Sequence, residues 1–234
     1  GLLWATKQVG CGKRLNYSYS YSYKRFFVIQ IITKVLWLFL TGIFFKVEVI
    51  GRENAKRLEG PLIIISNHKS YIDHFFIGAA LPFNFKLFPI LPMAHKEQMD
   101  KPIMGRGIRM FGGFVAKTKG KNLDELFDVP VKVLKDKKVV LIYPEGAIVK
   151  DTDFQKFGNG AAELSLRTSA NNLPVAISGL DHFGPGAFFK TFFVRRKIRI
   201  SFGKVFSPEH GQNRKEFTKK IEKEVRALYD PYYK

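Results

Sequence analysis

Cysteine is almost missing from this chain of 234 residues. Cys11 is the only one, which excludes an internal disulfide framework and a cysteine-rich metal site. The five His show no HExxH or comparable ligand spacing, so no bound metal is expected. No GxSxG elbow occurs, which disfavours a Ser-His-Asp esterase. Acidic residues are scarce, 20 against 39 Lys and Arg, and the net charge is +19. An excess of that size calls for a polyanionic partner: nucleic acid, anionic lipid headgroups or a phosphorylated substrate. Nucleic acid is not expected. The chain has no helix-turn-helix and no aromatic RNA-binding motif, and its 23 Phe are more apolar bulk than such modules need. There is no internal repeat. The apolar start Gly1-Leu2-Leu3-Trp4 is too short for the core of a cleavable signal.

What the chain does have is one long apolar run. Residues 26–45, FFVIQIITKVLWLFLTGIFF, would just reach across a bilayer core. Lys34 near the centre opposes spanning, at a cost of about 2.5–3.5 kcal/mol on the insertion scale. Lys24, Arg25 and Lys46 leave both flanks positive. An interfacial helix or pair of short helices follows, with basic residues at headgroup level and Lys24, Arg25, Lys34, Trp37 and Lys46 as membrane-binding residues. The expected organisation is a basic, Tyr/Ser-rich mobile tail over 1–23, a membrane-anchoring helical segment over 24–46 and one catalytic domain over 47–234.

From Lys46 onward strands and helices alternate. VEVIG, PLIIIS, Phe114-Val115-Ala116, Val139–Tyr143, Pro174–Ser178 and a basic region over 192–202 read as strands. Helices are expected over residues 70–80, 122–136, 159–170 and 213–229. This is the pattern of an α/β fold with a sheet covered on both faces.

Two strand ends carry chemistry. PLIIIS runs into Ser66-Asn67-His68-Lys69-Ser70-Tyr71-Ile72-Asp73. Residues five apart on one helix point about 140° apart, so His68 meets Asp73 only from a loop. Ser70-x-x-Asp73 supplies that break, since it reads as a capping box that starts a helix at Ser70. A neutral His held by a carboxylate removes a proton from a hydroxyl near neutral pH. VVLIY ends in Tyr143-Pro144-Glu145-Gly146, and ligands of open α/β sheets bind at the carboxyl ends of strands. Lys117, Lys119 and Lys121, spaced by two, would make a local anion site. Lys156-Phe157-Gly158-Asn159-Gly160 opens a small-residue helix start where N–H groups meet an anion.

Taken in order over roughly residues 35–205, these blocks resemble the glycerolipid acyltransferases, specifically the 1-acylglycerol-3-phosphate O-acyltransferases. NHKSYID matches the family's His-x-x-x-x-Asp block and YPEG its Phe-Pro-Glu-Gly block. Pro102…Gly113…Lys117, KFGNGAA and LPVAISGLD complete the set. The resemblance implies a single mixed sheet flanked by helices and an N-terminal membrane-anchoring segment. It implies direct acyl transfer from acyl-CoA or acyl carrier protein to the hydroxyl of lysophosphatidic acid, on the cytoplasmic face of a membrane and without a cofactor. His68 would be the base and Asp73 its orienting carboxylate. Asn67, Lys117, Lys119, Glu145, Gly146 and Lys156 would bind substrate. Two departures stand out. Ala147-Ile148 follows Glu-Gly where Thr-Arg is usual, and Lys117 replaces an Arg. The readings left open are a same-fold enzyme with another acceptor (glycerol 3-phosphate, a lyso-amino-lipid or a lysophospholipid) and a non-catalytic membrane- or nucleic-acid-binding protein.

Overall fold

The computed structural model describes residues 19–116, 123–149, 153–181 and 195–233. Among them, seven strands form one sheet: β1 (Phe45–Ile50), β2 (Leu62–Ser66), β3 (Ile90–His95), β4 (Phe114–Ala116), β5 (Val139–Ile142), β6 (Asn171–Ser178) and β7 (Arg196–Phe202). Their spatial order is β1-β7-β6-β2-β5-β3-β4. β6, β2, β5, β3 and β4 run parallel, and β7 pairs antiparallel to β6 and parallel to β1. The sheet is therefore single and mixed, as the resemblance implies.

The central strands show why the sheet needs two covers. All of β2 is buried. Leu62 and Ile64 pack into one core cluster, and Ile63 and Ile65 into the other. A parallel strand buried on both faces reads as a continuous apolar run, which is how LIIIS reads. On the first face lie α1 (Tyr19–Phe44) and α2 (Asp73–Ala80). On the second lie α5 (Leu123–Lys135), α6 (Gly160–Thr168) and α7 (Arg214–Leu228). Two short helices, α3 (Lys96–Asp100) and α4 (Pro102–Met110), join β3 to β4.

Several elements depart from the sequence reading, which has neither α3 nor α4. Strand β3 is not in it, because Pro92 argues against a central strand. Pro92 sits where β3 passes from pairing with β5 to pairing with β4, and the sheet tolerates the missing N–H there. Helix α2 begins at Asp73 rather than Ser70, because the Asp73 carboxylate folds back onto the N–H groups of Lys69 and Ser70. Helix α1 begins at Tyr19, inside the stretch read as a mobile tail. Tyr23 is buried and donates its hydroxyl proton to Asp136.

Helix α1 is apolar on its outer side, and its inner side mixes apolar groups packed on the core with buried polar ones. Val28, Ile32, Val35, Leu36, Phe39 and Ile43 form its exposed stripe. The buried stripe holds Gln30, Lys34 and Thr41. The Gln30 amide donates to the carbonyls of Ile90 and Phe111 and accepts from the Ile90 N–H. Lys34 is 3% exposed and donates to the carbonyls of Gly78, Ala79 and Leu81 at 2.8, 2.8 and 2.7 Å. Those are the open acceptors at the end of α2, where a cation also meets the negative end of the helix dipole. The assignment of Lys34 to headgroup level, and of Lys34 and Trp37 to the membrane-binding set, is therefore corrected. Lys34 is committed to α2, and the Trp37 ring packs on Phe75 and Phe76 at centroid distances of 5.0 and 5.4 Å. Lys24, Arg25 and Lys46 are exposed.

Lys34→Met should destabilise the protein by roughly 2–3 kcal/mol, because it strands buried carbonyls. Urea unfolding of the detergent-solubilised full chain measures this. A loss under about 0.5 kcal/mol would show that the three bonds contribute nothing net.

Candidate functional site

The parallel strands end at one edge of the sheet, and the loop after β2 is built around a single carboxylate. Asp73 is fully buried. Its Oδ2 accepts from the Lys69 N–H (2.7 Å), the Ser70 N–H (2.9 Å) and the His68 ring, where Nδ1 lies at 2.8 Å. Its Oδ1 accepts from the Ser70 hydroxyl at 2.6 Å. An ionised carboxylate only accepts, so Nδ1 of a neutral His68 carries the proton and Nε2 keeps its lone pair. The His68 ring is 21% exposed, enough for a hydroxyl to reach it.

The loop is tied down from three other directions. Asn67 is fully buried, and its amide donates to the Ile177 carbonyl and accepts from the Ile177 N–H. Its amide is thus committed to joining the loop to β6, not turned toward a substrate as the resemblance implies. The His68 N–H donates to Glu145 Oε1 at 2.9 Å, and the Gln155 N–H donates to Oε2 at 3.0 Å. Glu145 thereby clamps the His68 loop to the segment carrying Lys156, which is exposed. Burial pushes the Glu145 carboxyl above its ordinary range, and the two backbone donors oppose that. Gly146 closes the turn with its N–H on the Tyr143 carbonyl at φ 74°, a left-handed conformation that favours glycine. Lys117 and Lys119 lie outside the described residues.

Sequence reasoning missed two members of this site. Lys69 is fully buried. Its ammonium lies 3.2 Å from Asp181 Oδ1 and donates to the Asp153 carbonyl at 3.0 Å. It also sits over the rings of Tyr229 and Phe154, and Tyr229 donates to the same Asp181 oxygen. These partners are remote in sequence, so no local signal marks them. The Tyr143 ring stacks on His68 at 4.1 Å and 13°. Its hydroxyl is buried with no hydrogen-bond partner among the described residues.

Beside Asp73, His74 borders an apolar cleft under α1, lined by Phe75, Phe88, Ile90 and Phe111. Burial pulls the His74 pKa down to about 4, against the opposing pull of Asp73. His74 therefore stays neutral near pH 7, and no second imidazolium competes for the carboxylate.

Chemically, the arrangement can act as a general base at the carboxyl edge of an α/β sheet: an imidazole held through Nδ1 by a carboxylate, with its ring partly exposed. The Acyltransferase family model matches residues 46–178, which include both strand-end motifs. The chain belongs to that family. A 1-acyl-sn-glycerol-3-phosphate acyltransferase of Chlamydomonas reinhardtii is 24% identical over 62% of this chain and 42% of its own length. A chloroplastic one of Arabidopsis thaliana is 25% identical over 61% and 38%. The chain thus spans about two fifths of the length of these curated relatives. The crystal structure of the 1-acyl-sn-glycerophosphate (LPA) acyltransferase from Thermotoga maritima superposes with a TM-score of 0.67 at 21% identity, over 92% of this chain and 83% of that one. The two share a fold.

Two outcomes test this site. Tyr143→Phe removes a buried hydroxyl that has no partner among the described residues and should stabilise the protein by about 1–3 kcal/mol. Denaturant titration reads it, and a destabilised variant would mean the hydroxyl has a partner. The depressed His74 pKa means that the unfolded chain takes up a proton below about pH 6.5 that the folded chain refuses until about pH 4. Stability should fall through that window by up to roughly 3 kcal/mol. His74→Phe should flatten the plot of Tm against pH there, and an unchanged slope would assign the acid sensitivity to other groups.

Proposed function

We propose that the protein transfers an acyl group from a thioester, acyl-CoA or acyl carrier protein, to the free hydroxyl of 1-acylglycerol 3-phosphate, giving phosphatidic acid. The observation that carries this reading is the His68 ring, held through Nδ1 by a fully buried Asp73 and itself 21% exposed, within a chain of the Acyltransferase family. His68 Nε2 takes the hydroxyl proton as the oxygen attacks the thioester carbon. The new C–O bond forms and the C–S bond breaks. The proton then passes from His68 to the departing thiolate. Asp73 stabilises the imidazolium between the two transfers. No acyl-enzyme is required, because the thioester is already activated.

The protein works at a membrane surface, on the cytoplasmic side where acyl thioesters are made. The exposed apolar stripe of α1, with Lys24 and Arg25 at one end and Lys46 at the other, supports docking on an anionic bilayer. Gln30 and Lys34 bind the helix along its inner side to the domain, which favours lying on the bilayer over crossing it. Among phosphate ligands from the sequence reading, Lys156 remains a candidate by its exposure and by the bond of its neighbour Gln155 to Glu145.

His68→Ala should lower kcat by about 10²–10⁴-fold, the usual worth of a positioned base, with the unfolding midpoint little changed. Asp73→Asn should lose comparable activity. Turnover of folded His68→Ala within twofold of wild type rules the mechanism out. A pair of changes on the outer stripe, Leu36→Glu with Phe39→Glu, should abolish flotation with anionic liposomes and leave the Tm unchanged. Undiminished flotation would show that α1 is not the docking face.

A further inference from the structure

Three neighbouring parallel strands end side by side: β2 before His68, β5 before Tyr143–Gly146, and β3 at His95. His95 is exposed. A Cβ placed on Gly146 would lie 3.6 Å from its Nε2, so the imidazole rests against the turn that Glu145 anchors. The ring does not cap α3, although His95 occupies the cap position. Among the described residues, no group hydrogen-bonds it and no carboxylate pairs with it. Glu145, the acid of the adjacent turn, is already taken by the His68 and Gln155 N–H groups.

We propose that His95 recognises the phosphate of the acceptor and so sets headgroup specificity. This rests on the acyl-transfer reading above. The separation fits. Two strand spacings put the ends of β2 and β3 about 9–10 Å apart. In a glycerol phosphate, four bonds of about 1.5 Å link the reacting oxygen to phosphorus, a span of roughly 4–5 Å. A hydrogen bond of about 3 Å at each end brings the total to the same scale. The chemistry fits as well. The two residues after Gly146, Ala147 and Ile148, carry no charge. An imidazole beside the turn donates a hydrogen bond to a phosphate oxygen, and as imidazolium adds a charge. Gly146 has no side chain to fill the space before His95, which leaves the approach open.

The test is steady-state kinetics of the full chain in mixed micelles with oleoyl-CoA, comparing lysophosphatidic acid with monoacylglycerol, which has the same hydroxyl and no phosphate. For His95→Ala the KM for lysophosphatidic acid should rise at least tenfold. The oleoyl-CoA KM should stay within twofold, and the preference for lysophosphatidic acid over monoacylglycerol should collapse. His95→Lys, which restores a cation, should recover most of the acceptor KM. An unchanged acceptor KM and preference in folded His95→Ala overturns the proposal. So does a matching rise in the oleoyl-CoA KM, which would mark general damage to the site. Failure of the underlying reading is separately visible: wild type would then not acylate lysophosphatidic acid at all, and the proposal falls with it.

Discussion

One buried carboxylate organises this molecule's working edge. Asp73 has no exposed surface, and an ionised group there is tolerable only because four donors surround it. Satisfying those donors fixes almost everything nearby. Two of them are backbone N–H groups of Lys69 and Ser70, so the loop takes one path. A third, the Ser70 hydroxyl, holds the turn before α2. The fourth is His68, whose tautomer and ring orientation follow. The same four contacts thus start a helix, shape a loop and orient an imidazole.

Around that centre the chain uses polar groups as ties between layers. Asn67 joins the loop to β6, Glu145 joins it to the segment after β5, and Lys69 joins it to Asp181 and Tyr229. On the opposite side of α2, Lys34 closes that helix's far end from α1. Helix α2 is therefore held by a carboxylate at its start and an ammonium at its finish, each suited to the dipole end it meets. Because Lys34 belongs to α1, the helix with the exposed apolar stripe is mechanically continuous with the helix that carries Asp73.

The parts legible in the sequence were those with local causes. β2 and β5 read as buried strands because parallel strands covered on both faces must be apolar throughout. The meeting of His68 and Asp73 was legible because a spacing of five forbids it on a helix and a capping box supplies the break. What stayed hidden depended on partners far along the chain. A lysine in an apolar run reads as an expense to the membrane until three carbonyls of α2 are known to face it. Lys69 is the same case, since Asp181 and Tyr229 lie over a hundred residues away. Strand β3 was obscured by Pro92, whose place at an exchange of neighbours is a property of the finished sheet. His95, at the end of that strand, was hidden with it.

The contact of Lys69 with Asp181 and Tyr229 also has a consequence in time. A ribosome makes the His68 loop early and Tyr229 much later, at about 5–20 residues per second. For an interval on the order of ten seconds, the nascent chain holds the base and its carboxylate but not the ring and acid that enclose the neighbouring lysine. Until Tyr229, just beyond α7, has been made and docked, that ammonium lacks the ring that covers it and its counterion Asp181 lacks a donor, so the loop has one tie fewer. The chain is thus built so that its working loop is completed last, when nearly all of the sheet already exists to hold it.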